Sequence, residues 1–271
     1  MGFKAYLRML RLHHTLFSLP FAYVGALASG LRNPLDAAMI ALALFFARSV
    51  AILSNDLFDR DLDALNPRTS NRPLVTGDAD PLVVKFLIAL FSILFSLSAL
   101  YFNFLCFLLS FPIIAAELSY PFAKRLHCLP HLHLGAVLGA SPLAGAIAIS
   151  GSLKDLPWGY STALALWVAG FDTIYSIQDV EFDRNHEIRS IPACFGENVA
   201  IRAASIMHLS SFIILLASSI GLISLISVII YGILLLIENV MARKGEYKGA
   251  FDLNVIVGLI LGLGFVLDYI I

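Results

Sequence analysis

Asn55, Asp59 and Asp63 stand at i, i+4 and i+8, so a helix running through them stacks three polar side chains on one face, about a turn apart. Asp172, Tyr175, Asp179 and Asp183 repeat the arrangement at i, i+3, i+7 and i+11. Carboxylate oxygens suit Mg²⁺, which usually keeps waters and binds through one or two protein carboxylates plus substrate phosphates. The two ladders therefore predict metal-binding and catalytic roles for Asp59, Asp63, Asp179 and Asp183, with Asn55 as a further ligand. Two ladders across a bundle interior can hold divalent ions around a diphosphate and neutralise it as a leaving group. Asp61 points off the first face and is expected as a surface charge. Glu187 extends the second ladder by a turn if the helix lasts that far.

Cations follow the acids. Arg68 and Arg72 lie among Pro67 and Pro73, which break helix continuity and let the segment fold back as a loop. Guanidinium groups beside a metal-loaded carboxylate site chelate phosphate oxygens well; simple basic flanking of a membrane span is the plainer alternative. In S-Y-P-F-A-K-R, Tyr120 and Lys124 share a helical face if Pro121 opens a fresh turn, which puts Lys124, with Arg125, within reach of phosphate. An interfacial Tyr and Lys anchor is the alternative there. Arg48 lies inside an apolar run, so it must face a polar interior, whether as a ligand site or as an ion pair with a neighbouring helix.

The elements that carry these residues are membrane helices. Of 271 residues, 59% are hydrophobic and 14% charged, with a mean hydropathy of +0.86, whereas soluble domains carry roughly 25% charged residues. Apolar runs long enough to cross a bilayer fall near 15–31, 36–56, 82–101, 103–121, 131–150, 158–180, 197–219, 221–240 and 252–271. The chain is thus expected to be one all-α transmembrane domain over residues 1–271 with nine spans. With the N-terminus cytoplasmic, fifteen of the eighteen Lys and Arg fall on that side, two (Arg32 and Lys154) on the other, and Arg48 within a span, a sorting that obeys the positive-inside rule. Both ladders then lie toward the cytoplasmic side.

Other classes are disfavoured. No basic face survives outside these loops, which argues against nucleic acid. Cys106, Cys128 and Cys194 are far apart, so neither a disulfide framework nor a zinc site is expected. His127, Cys128, His131 and His133 lack a second paired element and read as solvated loop residues rather than as metal ligands. No cleavable signal is evident, and no protein partner.

Four motifs together resemble the UbiA superfamily of intramembrane prenyltransferases: N-D-x-x-D-x-x-x-D at Asn55 to Asp63, R-T-x-N-R-P-L at Arg68 to Leu74, Y-P-x-x-K-R at Tyr120 to Arg125, and D-T-I-Y-x-x-Q-D-x-x-x-D at Asp172 to Asp183. The second and fourth forms are most similar to the 4-hydroxybenzoate polyprenyltransferases. The opening R-L-H-H-T-L-F-S-L-P-F is similar to a branch that prenylates a dihydroxynaphthoate for menaquinone. The resemblance implies an isoprenyl-synthase-like bundle of nine transmembrane helices around a central cavity, Mg²⁺ dependence and a polyprenyl diphosphate donor in the membrane lipid.

On that footing, Mg²⁺ held by Asn55, Asp59, Asp63, Asp179 and Asp183 binds the diphosphate, with Arg72, Lys124, Arg125 and Arg68 sharing its charge. The allylic cation that forms is shielded by apolar and aromatic walls, and an electron-rich ring attacks it. Arg48 is the leading candidate for the aromatic acceptor's carboxylate, with Ser141, Tyr175, Asp172 and Tyr120 as further pocket residues. A secondary transporter is the rival class, but its sites lie near the midplane on inverted repeats, whereas these ladders lie toward one membrane face.

Overall fold

The computed structural model describes residues 2–271, apart from the side chains of Phe3 and of residues 13–17, so the opening motif is described only in part. The helices in chain order are α1 (Phe3–Met9), α2 (Leu12–Ala28), α3 (Pro34–Phe58), α4 (Arg60–Leu65), α5 (Pro73–Thr76), α6 (Pro81–Phe102), α7 (Phe104–Leu126), α8 (Pro130–Gly139), α9 (Ser141–Ser150), α10 (Trp158–Ser176), α11 (Val180–Asn185), α12 (Ile191–Phe195), α13 (Glu197–Ala217), α14 (Leu222–Arg243) and α15 (Tyr247–Ile270). Among the described residues there is no strand.

Short polar caps set where the long helices begin. Asn33 and Asp80 accept hydrogen bonds from the backbone N–H of Leu35 (3.0 Å) and Leu82 (2.7 Å), with a proline at the first helical position in both α3 and α6. This is the usual division of labour between cap and N1 proline. Asn103 alone separates α6 from α7, and its side chain accepts from Cys106 N–H at 2.9 Å, which makes the tight turn between those two spans.

Among the described residues, seven helical segments have the length and apolarity of a membrane span: α3, α6, α7, α8 and α9 taken together, α13, α14 and α15. The other two predicted spans are helical as well, in α2 and α10. Helix α10 is less apolar because it lies inside the bundle. Trp167 is fully buried there, in edge contacts with Phe171 and Tyr231, and its Nε1 donates to Asn254 Oδ1 at 2.8 Å. An indole that finds such a partner can be buried without loss.

Helices α2 and α9 pack closely through Gly25 and Gly145. A Cβ on Gly145 would overlap the Ala22 carbonyl oxygen, and one on Gly25 the Pro142 carbonyl oxygen, so these positions require glycine for close backbone approach. Gly145→Val is expected to cost about 1–3 kcal/mol through overpacking, visible as a melting temperature in detergent several degrees below wild type. An unchanged melting temperature would show that α2 and α9 can separate freely.

Both acidic ladders bend at their middle carboxylate. Helix α3 ends at Phe58, and Asp59 (φ −95°, ψ 1°) joins it to α4. Helix α10 ends at Ser176, a 3₁₀ turn covers Ile177–Asp179, and Asp179 (φ −102°, ψ 5°) joins it to α11. Both joints use the sparsely populated bridge region, so each ladder turns rather than running as one helix. The second does not reach Glu187: α11 stops at Asn185, and Glu187 has φ +57°.

Candidate active site

The bends bring both ladders to one polar cavity of about 170 Å³, lined by Asn55, Asp59, Asp63, Arg68, Arg72, Tyr120, Lys124, Asp172, Tyr175, Asp179 and Asp183, among others. Almost every acid there is held by a cation or a hydroxyl. Lys124 Nζ donates to Asp59 Oδ2 at 2.5 Å. Arg68 grips Asp179 with two bonds, Nε to Oδ1 at 3.0 Å and Nη2 to Oδ2 at 2.6 Å, and its Nη1 donates to the Tyr175 hydroxyl at 3.0 Å. Ser190 Oγ donates to Asp183 Oδ2 at 3.0 Å.

Arg72 bridges two acids through one nitrogen: Nη1 is 2.5 Å from Asp63 Oδ2 and 3.1 Å from Asp56 Oδ1. Asp56, only 2% exposed, also receives Arg11 Nη2 at 2.9 and 3.1 Å. The result is an alternating run, Arg11, Asp56, Arg72, Asp63, that ties the start of α2 to the cavity. Arg11 makes its contact from a left-handed backbone, φ +43°, which costs energy for a residue with a Cβ and marks a position the surroundings enforce.

Burial raises the Asp63 carboxyl above the usual carboxylate range, although Arg72 and Thr69 oppose the rise. Burial also pushes Asp183 up to about 6; the Ser190 hydroxyl opposes this and the nearby Asp179 charge adds to it. Both acids therefore hold their negative charge less readily than exposed ones, and a further cation at either is favoured.

The remaining predicted residues fall in different places. Arg125 stays at the rim: its Nη2 donates to Phe58 O at 3.0 Å and lies 3.6 Å from Asp59 Oδ1. Asp61 is 90% exposed. Arg48 and Ser141 line a second, apolar cavity of about 480 Å³, together with Ala47, Phe95, Ile113 and Glu117 among others. Tyr120 lines the polar cavity, one turn along α7 from Glu117, which lines the apolar one. Helix α7 runs through Pro121 without a new start, and Tyr120 and Lys124 still share a face.

Two expectations are corrected. Cys128 and Cys194 form a disulfide: the chain between α7 and α8 folds against α12, bringing their Cα atoms to 6.1 Å despite 66 residues of separation. Of the histidines of that region, His127 is an exposed loop residue as expected, but the other two find separate partners. His131 is buried with Nδ1 2.7 Å from Asp172 Oδ2, and His133 Nε2 donates to Ala116 O at 2.8 Å. Sequence reasoning missed Arg11, Asp56, His131 and Glu117. Glu117 did carry a signal, an acid in the middle of a predicted span.

Among the described residues no three His, Cys, Asp or Glu side chains converge tightly enough to hold a metal ion unaided. The acids surround one cavity instead of meeting at one point. Even so, the donor set fits a divalent ion. Asp59 Oδ1 is buried with no hydrogen-bond partner, and an ion that brings phosphate oxygens needs only one or two carboxylates.

Apolar spans around a polar cavity, with a larger apolar one on the same helices, define an intramembrane enzyme of the prenyltransferase class. The chain belongs to the UbiA prenyltransferase family, whose model matches residues 18–253. It is 33% identical over 86% of its length to a 4-hydroxybenzoate octaprenyltransferase of Saccharophagus degradans, covering 80% of that protein. It is 28% identical over 98% of its length to a protein of the same name from Yersinia pseudotuberculosis, covering 96% of it. Among solved structures, the apo form of a UbiA homolog from Aeropyrum pernix K1 superposes with a TM-score of 0.91 at 42% identity, with 95% of this chain and 98% of that one covered. A UbiA homolog from Archaeoglobus fulgidus bound to DMAPP and Mg²⁺ shares the fold at a TM-score of 0.73 and 19% identity, with 94% and 98% covered.

Proposed function

We propose that this prenyltransferase moves a polyprenyl group from an allylic polyprenyl diphosphate to a hydroxylated aromatic acid of the 4-hydroxybenzoate kind, in quinone biosynthesis, with Mg²⁺ as its cofactor. The observation that carries the reading is that two cavities lie on the same helices, α3 and α7, within a turn or two of each other: Arg48 and Glu117 line the apolar one, Asn55 and Tyr120 the polar one. A polar cavity with Arg68, Arg72 and Lys124 suits a diphosphate, and the apolar cavity beside it suits a prenyl chain, each buried CH₂ contributing about 0.8 kcal/mol. The names of the relatives and the ligands of the Archaeoglobus fulgidus structure agree with both halves.

Asp59, Asp63, Asp179 and Asp183, with Asn55, are the residues to hold Mg²⁺. When bound, the ion neutralises diphosphate charge as the allylic C–O bond breaks. Arg68, Arg72 and Lys124 orient the diphosphate by charge-assisted hydrogen bonds. In doing so they release acids that they now occupy: Arg68 can turn from Asp179, and Lys124 from Asp59. Phe95, Ile113 and the other apolar walls keep water from the allylic cation. Arg48 and Ser141 take the polar head of the acceptor, and Tyr120 stands between head and diphosphate. The positive-inside sorting of Lys and Arg favours a cytoplasmic face for the polar cavity.

The test is a detergent-solubilised assay with Mg²⁺, labelled geranyl diphosphate and a panel of 4-hydroxybenzoate, a dihydroxynaphthoate and glyceryl phosphate lipid. Transfer to the hydroxybenzoate that stops on chelation by EDTA and returns with Mg²⁺ is expected. Transfer that survives chelation, or that uses the glyceryl lipid alone, overturns the reading.

A further inference from the structure

The bridge between Cys128 and Cys194 has no part in the chemistry proposed above, yet it fastens one wall of the polar cavity. Ile188, Arg189 and Ser190 line that wall from the strap between α11 and α12, and Pro130 and His131 line it from the start of α8. The two cysteines flank this wall, Cys128 just before Pro130 and Cys194 within α12, which begins right after Ser190. A single turn of helix joins the sulfur to the site. Ser190 Oγ caps α12 by accepting from Ala193 N–H at 3.3 Å, and the same hydroxyl donates to Asp183 Oδ2 at 3.0 Å. Cys194 N–H closes the turn on Ser190 O at 3.0 Å.

Hydrogen bonds also tie the strap to α7: Arg189 donates its backbone N–H to Lys124 O at 2.6 Å and its Nη1 to Leu126 O at 2.8 Å. Arg189 is exposed, however, and water competes for such bonds. The disulfide is the covalent tie. It joins residues 66 apart in the chain, and a cross-link over so long a loop removes many open states of the strap. It is also within reach of other thiols, because Cys194 is exposed and Cys128 half-buried. Exposed disulfides are the labile and regulatory ones. The sorting of Lys and Arg favours a cytoplasmic face for this wall, where thiol pools keep most cysteines reduced.

We propose that Cys128–Cys194 is a thiol–disulfide exchange site for a cellular dithiol, and that its state sets the affinity of the polar cavity for the diphosphate donor. This rests on the reading of that cavity as the diphosphate site. In the exchange, a thiolate of the dithiol attacks the exposed Cys194 Sγ. The S–S bond breaks with its electron pair on Cys128 Sγ, which takes up a proton, and Cys194 is left in a mixed disulfide. The second thiol of the dithiol then attacks the dithiol's own sulfur in that mixed disulfide, closing a ring disulfide and releasing Cys194 as a thiol. Two electrons and two protons pass to the protein, and the dithiol is oxidised. With the bridge open, the α12 turn loses its anchor on the connection between α7 and α8, and Ser190 is no longer held against Asp183. Asp183 without that hydroxyl is less fixed in position and less readily charged, so it serves the cation that accompanies a diphosphate less well.

The experiment compares the full-length protein in detergent in three states: oxidised, reduced by dithiothreitol with the reagent then removed, and reoxidised with oxidised glutathione. Thiol labelling after denaturation reports the state, with one thiol, Cys106, when the bridge is closed and three when it is open. On reduction of the folded protein, KM for geranyl diphosphate and Kd for inorganic pyrophosphate with Mg²⁺ are expected to rise roughly three- to tenfold, the range for loosening one hydrogen bond to a charged group. Both return on reoxidation. KM for the aromatic acceptor keeps its oxidised value, because the strap does not line the apolar cavity. Cys194→Ser is expected to show the reduced values under every condition and Cys106→Ser to respond as wild type does; reduction of the wild type carries the test if Cys194→Ser does not fold. A folded protein that keeps one thiol under dithiothreitol, or a fully reduced one with the oxidised donor KM, overturns the proposal. So does a rise shared equally by donor and acceptor, which marks general loosening. An oxidised wild type that neither transfers a prenyl group nor binds pyrophosphate overturns the diphosphate reading itself, a result distinct from an active enzyme indifferent to reduction.

Discussion

Asp59→Asn is expected to lower Mg²⁺-dependent turnover by about 10³-fold or more while the protein stays folded. Asp59 is 1% exposed. Its Oδ2 receives Lys124 and its Oδ1 is buried without a hydrogen bond, so it is the acid with the freest oxygen for an incoming cation. Asparagine keeps the size and still accepts from Lys124, which preserves local packing. It removes the charge that a metal-bound diphosphate needs, worth several kcal/mol in a site screened from water, at a tenfold rate change for each 1.36 kcal/mol. Asp183→Asn follows the same logic, since its amide oxygen still accepts from Ser190. Single-turnover assays with labelled geranyl diphosphate, beside thermal melts, check both. Turnover within tenfold of wild type in either variant removes that residue from the metal site.

Whether such residues are legible before the fold is known depends on how far apart their partners lie. Asn55, Asp59 and Asp63 announce themselves because helical periodicity is local: residues four apart share a face whatever surrounds them. The bend at Asp59 does not spoil this, because a residue near φ −95° and ψ 1° still leaves the next carboxylate one turn further on the same side. Arg68 and Arg72 were legible for a similar reason, as cations placed by prolines a few residues from the acids. Asp56 was not. It follows Asn55 directly and so falls off the ladder face, and its value comes from Arg11, 45 residues away.

The same holds for His131 with Asp172, 41 residues apart, and for Cys128 with Cys194. Each pair is made by helix packing, which no local pattern specifies. Arg48 shows the limit of reading one residue alone: its depth in a span required a polar neighbour, but only the fold puts Glu117 in the lining of the same cavity. The spans themselves were readable from apolar length, whereas α10, the helix most enclosed by protein, falls short of the apolarity that lipid contact demands because other helices surround it.

Arg72→Lys is expected to cut kcat/KM for the prenyl diphosphate roughly 10²-fold, and Arg72→Ala further, for a reason that separates arginine from lysine. Both acids that hold Arg72 contact the same nitrogen, Nη1. The guanidinium is therefore anchored by one corner, and its Nε and Nη2 donors remain for phosphate oxygens. A lysine has a single nitrogen, so it either satisfies Asp56 and Asp63 or reaches the diphosphate. Losing two charge-assisted hydrogen bonds accounts for the size of the effect. Arg72→Ala also leaves Asp63 without its cation and Asp56 with Arg11 alone, which costs about 2–3 kcal/mol of stability after allowance for the partial exposure of Arg72. Arg11→Ala, which leaves Arg72 in place but removes the far end of the run, should raise donor KM less than Arg72→Lys does. Donor KM, kcat and melting temperature measured across the three variants decide the matter. If Arg72→Lys binds geranyl diphosphate as wild type does, Arg72 is a structural bridge between two acids and the phosphate contacts belong to Arg68 and Lys124.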